Sequence, residues 1–170
     1  MEKRDKSLLN ICILEFPSNL GLKEPYPGHE PGVKKLPDFF KAHGFHDQLN
    51  PARTVRLNPP AYSMALDETS GVRNADHIVH YSEEQSALLQ DVLLKNEFPI
   101  VIGGDCSILI GNALALKNKG VYALFYLDGH TDFMWPSLSQ TGGAAGMDLA
   151  IIGANTTYVM VPVFTSPSRR

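Results

Sequence analysis

FPIVIGGDCSILIGNALALKNKGVYALFYLDGHTD, residues 98–132, is the stretch whose reading decides the fold. Pro99 to Ile102 is a short apolar strand that runs straight into Gly103-Gly104. Ser107 then sits at the N-cap of a helix whose apolar face carries Ile108, Leu109, Ala113, Leu114 and Leu116, and Gly120 ends it. Val121 to Leu127, VYALFYL, is an unbroken apolar run of the kind found in a strand covered on both faces. Strand, helix and strand in that order form a βαβ unit, and such units build parallel sheets.

Working outward, Leu8 to Phe16 (LLNICILEF) is a second continuous apolar run, closed by Pro17, and reads as the first strand. Pro17, Pro25, Pro27 and Pro31 keep the next segment a loop. Val33 to His43 has apolar residues at helical spacing (Val33, Leu36, Phe39, Phe40), with Pro37 suited to a helix start and Gly44 to its C-cap. Thr54 to Leu57 is a candidate short strand before Pro59 and Pro60. Ser82 followed by Gln85 resembles a capping box opening a helix that runs to about Asn96, which leaves His77 and His80 just before it. Near the end, Ala150 to Ile152 and Tyr158 to Phe164 are further strand pieces. The expected class is α/β, a three-layer αβα arrangement around a parallel sheet.

The chain has 170 residues, 44% hydrophobic and 19% charged, with a formal net charge of -3, enough for one domain with a real core. No basic excess is present to neutralise a phosphate backbone or an anionic bilayer, so nucleic acid and membrane are not expected partners. Cys12 and Cys106 are the only cysteines and suggest no disulfide framework, which fits a reducing, cytoplasmic setting. The first apolar run is too short for a signal peptide or a membrane span.

Ligand sites in parallel sheets lie beyond the carboxyl ends of the strands. Asp128, His130 and Asp132 follow VYALFYL at alternate positions, so on an extended backbone their side chains share one side. Two carboxylates with an imidazole suit Mn²⁺, Zn²⁺ or Fe²⁺, whereas oxygens alone would suit Mg²⁺ or Ca²⁺. The bland alternative has Asp128 capping a turn and the other two solvated. Gly103-Gly104-Asp105-Cys106-Ser107 is weaker evidence, being also an ordinary strand-to-helix turn, with Cys106 either a small buried hydrophobe or a thiolate ligand. The G-x-G-x-x-G dinucleotide fingerprint is absent. A metallophosphoesterase would place its D-x-H ahead of its G-D and add a G-N-H; here the order is reversed and G-N-H is missing.

GGDCS and DGHTD, about twenty residues apart at two strand ends, resemble the GGDHS and DAHxD pair of the ureohydrolases: arginase, agmatinase, formimidoylglutamase and their relatives. The likeness runs from near Gly28 to about Ala150 and implies the N-terminal half of the arginase/deacetylase fold. It further implies metal roles for Cys106, Asp128, His130 and Asp132 around a two-manganese cluster, with Asp128 and His130 also in the catalytic set. In that chemistry water activated by metal attacks a guanidino or amidino carbon, and the tetrahedral intermediate expels an amine or urea.

Two departures bear on this. Cys106 stands where the family has histidine, and its softer thiolate opens the site to Zn²⁺ or Fe²⁺. Thr141-Gly142-Gly143-Ala144-Ala145-Gly146 stands where arginase carries S-x-N-x-H-G, without the histidine or asparagine, which disfavours arginine as substrate. The family also draws two aspartates from a later strand, while Asp148 is the only acid after Phe133. The sequence therefore reads as a single incomplete domain over residues 1–170 with an atypical tail from 151, prone to homo-oligomerise through its unpaired strand. The alternative to a hydrolase is a non-catalytic remnant or oligomer subunit that keeps a partial metal site.

Overall fold

The computed structural model describes residues 9–154. Its sheet has three parallel strands in the order β2-β1-β3, where β1 is Ile11–Phe16, β2 is Arg53–Arg56 and β3 is Phe98–Gly103. Ile13 sets the register, lying opposite Thr54 on one side and Ile100 on the other.

Residues 12–16 of β1 are all buried. Successive strand side chains point to opposite faces, so both faces of the sheet are covered there. On one face Cys12, Leu14 and Phe16 share a core with Ile78, Tyr81, Leu89 and Val92 of α3 (Ala75–Leu94) and Ala115 of α4 (Ile108–Lys117). On the other, Glu15 lies 2.8 Å from His46 Nε2 on α2 (Phe45–Leu49) and accepts from Arg56 at 3.2 Å. Helices on either side of a parallel sheet give the expected three layers.

The first helix is α1 (Leu36–Ala42), entered through a 3₁₀ turn at Gly32–Lys35, with Pro37 in its first turn. Gly44 takes φ +76 after it and leads into α2. The short strand falls one residue earlier than the apolar pattern predicts.

Three expectations are corrected. The helix expected to open at Ser82 opens at Ala75, with Asn74 as its N-cap, so His77 and His80 are exposed residues inside it. Ser82 and Gln85 are buried in its middle, because the core-facing stripe already begins at Ile78 and Tyr81. The Ser–Gln pair faces the neighbouring helix: a Cβ on Gly111 of α4 would lie 2.8 Å from the Ser82 carbonyl oxygen and 2.6 Å from Gln85 Oε1.

Residues 121–127 form no strand, and Val121, Phe125 and Leu127 are 89%, 86% and 83% exposed. An apolar run becomes a strand only where a neighbouring backbone completes its hydrogen bonds, and no described residue pairs along this one. Residues 150–152 belong to a helix, α5 (Asp148–Ala154), since a short apolar run does not by itself distinguish helix from strand. The expected strand at 158–164 lies outside the described residues. No helix among the described residues is long and apolar enough to cross a membrane.

Candidate metal centre

The turn after β3 is fixed by backbone contact. A Cβ on Gly104 would sit 1.7 Å from the Ser18 carbonyl oxygen, so glycine is required for this approach, and Asp105 N–H donates to that same oxygen at 3.2 Å. The buried Asp105 carboxylate accepts from Ser107 N–H at 2.9 Å and from Gly21 N–H at 3.3 Å. Both its oxygens are occupied in holding the turn, which leaves Cys106 as the residue presented from β3.

The second contribution comes from residues 126–132. His130 N–H donates to Asp128 Oδ1 at 2.9 Å, and Asp132 takes φ +44. The backbone bends at Gly129 and His130, so the alternation expected of an extended strand does not hold. Asp128 and Asp132 converge nonetheless: with Cys106 they form a group whose ligand atoms all lie within 4.8 Å of one another. Cys106 Sγ is 3.8 Å from Asp128 Oδ2. The His130 side chain is 86% exposed and outside that group, its Nδ1 3.5 Å from Asp128 Oδ1.

Two further residues enter here that the motifs do not announce. Tyr126 Oη donates to Asp132 Oδ2 and lies 3.3 Å from Asp128 Oδ2. Its spacing of two and six residues from the aspartates was the available signal, hidden by its place in an apolar run. Asp148 is fully buried, with Oδ1 accepting from Leu149 N–H at 2.8 Å and no hydrogen-bond partner for Oδ2 among the described residues. Phe133 and Trp135 are half-exposed beside Asp132.

The electrostatics of the group are set by burial and by its own carboxylates. Burial pushes the Cys106 thiol up to about 12, reinforced by Asp132, Asp148, Asp128 and Asp105. Burial, then Asp132, raises the Asp148 carboxyl to about 8. The hydrogen bond from His130 N–H holds Asp128 below the usual carboxylate range. Burial, then the hydrogen bond to Asp132, raises Tyr126. Among the described residues no lysine or arginine pairs with Asp132 or Asp148.

These donors fit a divalent metal. Metal–ligand bonds of about 2.0–2.3 Å place neighbouring ligand atoms about 3–4 Å apart, and the 3.8 Å between Cys106 Sγ and Asp128 Oδ2 is already of that size. One thiolate with two carboxylates suits transition ions better than Mg²⁺ or Ca²⁺.

The sequence profile of the arginase family matches residues 11–161, which is most of the chain. The chain belongs to the arginase family. The arginase of Staphylococcus aureus (strain MRSA252) is 34% identical over 105 residues, covering 61% of this chain and 35% of that protein. The Brevibacillus brevis arginase is 34% identical over 87 residues, covering 49% and 28%. Native Bacillus caldovelox arginase superposes with a TM-score of 0.69 at 24% identity, over 84% of this chain and 48% of that one. This arginase-family chain thus spans about half the length of that solved relative, and its matched part about a third of the curated ones. The fold likeness agrees with the α/β architecture above.

Proposed function

We propose that this chain carries the metal-binding part of a hydrolase that cleaves a guanidino or amidino C–N bond, with manganese as the metal. The observation that carries the reading is the convergence of Cys106, Asp128 and Asp132 from the two segments that hold the GGDCS and DGHTD motifs. His130, two residues from each aspartate, completes the proposed ligand set, and Asp128 and His130 are its catalytic members. Bound there, a metal would supply the Lewis acidity that makes water nucleophilic at neutral pH.

The chain's own residues have definable parts in this. Asp105 fixes the turn that presents Cys106. Tyr126 donates its one hydroxyl proton to Asp132 and lies 3.3 Å from Asp128 Oδ2, which ties the two aspartates to one another. The thiol at about 12 must lose its proton on ligation, so metal affinity rises with pH. The missing histidine and asparagine in residues 141–146 favour a guanidino or amidino substrate other than arginine.

The test is manganese-dependent release of urea, amine or ammonia from a panel of guanidines and linear amidines, with Asp128→Ala as control. Turnover abolished by that change supports the hydrolase. Metal binding without turnover of any member favours the second reading, a non-catalytic subunit with a partial metal site, to which the exposed position of His130 lends weight. We further propose that the protein is cytoplasmic and that it self-associates through the exposed apolar residues 121–127, which light scattering on the eluting chromatographic peak would detect.

A further inference from the structure

Asp148 has no part in either motif, and its environment is unusual for a carboxylate. The residue is 0% exposed, and its Oδ2 finds no hydrogen-bond partner among the described residues. Its other oxygen accepts from the adjacent Leu149 N–H at 2.8 Å. A buried carboxylate left in this state costs several kcal/mol if ionised, and buried charges are as a rule paired or bound to metal.

Its position is held by backbone contacts. Leu149 N–H donates to the Asp132 carbonyl oxygen at 3.1 Å, and Met134 N–H to the Gly146 carbonyl oxygen at 3.0 Å. These two hydrogen bonds fix the turn before α5 alongside the segment that carries Asp132. Ala145 N–H donates to the Gly21 carbonyl oxygen at 3.0 Å, and Gly21 N–H donates in turn to Asp105. One loop residue therefore joins the turn that presents Cys106 to the turn that leads to Asp148. Asp132 is the charge that acts most strongly on Asp148, and Asp148 in turn acts on Cys106 and Tyr126.

We propose that Asp148 is a further metal-site carboxylate, supplied to the cation from the N-terminal end of α5 in addition to Cys106, Asp128 and Asp132. The proposal rests on the metal reading above. Asp148 lies outside the close group of Cys106, Asp128 and Asp132, and a cation drawn to that group would give its unpartnered Oδ2, and carboxylates that among the described residues have no lysine or arginine partner, the positive charge they lack. Asp148 also supplies a carboxylate from within the described chain, at a site where Asp105 is engaged in holding its turn and the two motifs leave Asp128 and Asp132.

The experiment titrates Co²⁺ and Mn²⁺ into the full chain by calorimetry, comparing wild type with Asp148→Asn and with the Asp128→Ala, Asp132→Ala double variant. Asp148→Asn is expected to bind at least tenfold more weakly, the scale at which metal-site carboxylates act. Its metal-free thermal midpoint should match or exceed that of wild type, because asparagine carries no charge to bury. Asp148→Asn binding within twofold of wild type, with the double variant not binding, overturns the role of Asp148 and leaves the metal reading intact. Wild type binding no better than the double variant overturns both. Should Asp148→Asn lose its far-ultraviolet helix signal, Asp148→Cys takes its place: a cobalt–thiolate absorption band stronger than wild type supports the proposal, and an unchanged band overturns it.

Discussion

The backbone N–H of Leu149 donates to the carbonyl oxygen of Asp132 at 3.1 Å, registering a turn with no recognisable motif on the loop that carries the candidate ligands. It explains how Asp148, sixteen positions along the chain, comes to feel Asp132 more than any other charge.

A pH dependence of stability follows in the metal-free protein. The Asp148 carboxyl is raised to about 8 when folded, whereas an unfolded aspartate ionises near its ordinary value of about 4. Between those values the folded state binds more protons than the unfolded one, so this group's contribution is greatest below about pH 4 and falls as pH rises toward 8. The thermal midpoint of wild type should decline relative to that of Asp148→Asn between pH 5 and 8. Parallel profiles would show that Asp148 does not titrate in this way.

Gly104 and Gly129 should respond oppositely to alanine. A Cβ at Gly104 would overlap the Ser18 carbonyl oxygen at 1.7 Å, where backbone must move, while nothing lies within 4 Å of one at Gly129. Gly104→Ala should cost about 1–3 kcal/mol or more by urea unfolding, and Gly129→Ala less than about 0.5 kcal/mol. Equal effects would mean that the turn after β3 is not as tightly held as its contacts indicate.

The thiol of Cys106 should decide metal preference. A cobalt-loaded chain should show a near-ultraviolet thiolate charge-transfer band that Cys106→Ser removes. Cys106→His should raise Mn²⁺ affinity relative to Cd²⁺, because imidazole is harder than thiolate. A band that survives in Cys106→Ser would place the cysteine outside the metal's reach.

His130 should matter less than Asp132 to the first metal bound. Asp132 is buried within the donor group, whereas the His130 side chain is 86% exposed and outside it. Calorimetry should find Asp132→Ala binding at least tenfold more weakly and His130→Ala only a few-fold more weakly. The reverse order would require His130 to turn inward as a dominant ligand.

The strands at β1 and β3, the helix after Ser107 and the parallel order were legible because each buried element carries its own hydrophobic period and its own glycine or proline punctuation. The start of α3 was not: Ser82 and Gln85 have the residue types of a cap, and only the tertiary contact with Gly111 reveals that they are buried in a helix interior. The run at 121–127 has the composition of a strand, yet a strand depends equally on a partner backbone, and none of the described residues provides one. At the site, Cys106, Asp128 and Asp132 were named by their motifs, but their convergence depends on the left-handed backbone at Asp132 and not on strand alternation. Tyr126 and Asp148 lie beyond motif reading because their parts depend on where the backbone brings them.

The central claim is that Cys106, Asp128 and Asp132 form a metal site, and the metal content of the purified chain tests it most directly. Protein purified with added manganese and then desalted should retain metal that the Asp128→Ala, Asp132→Ala double variant does not. Equal retention by the two proteins would contradict the claim.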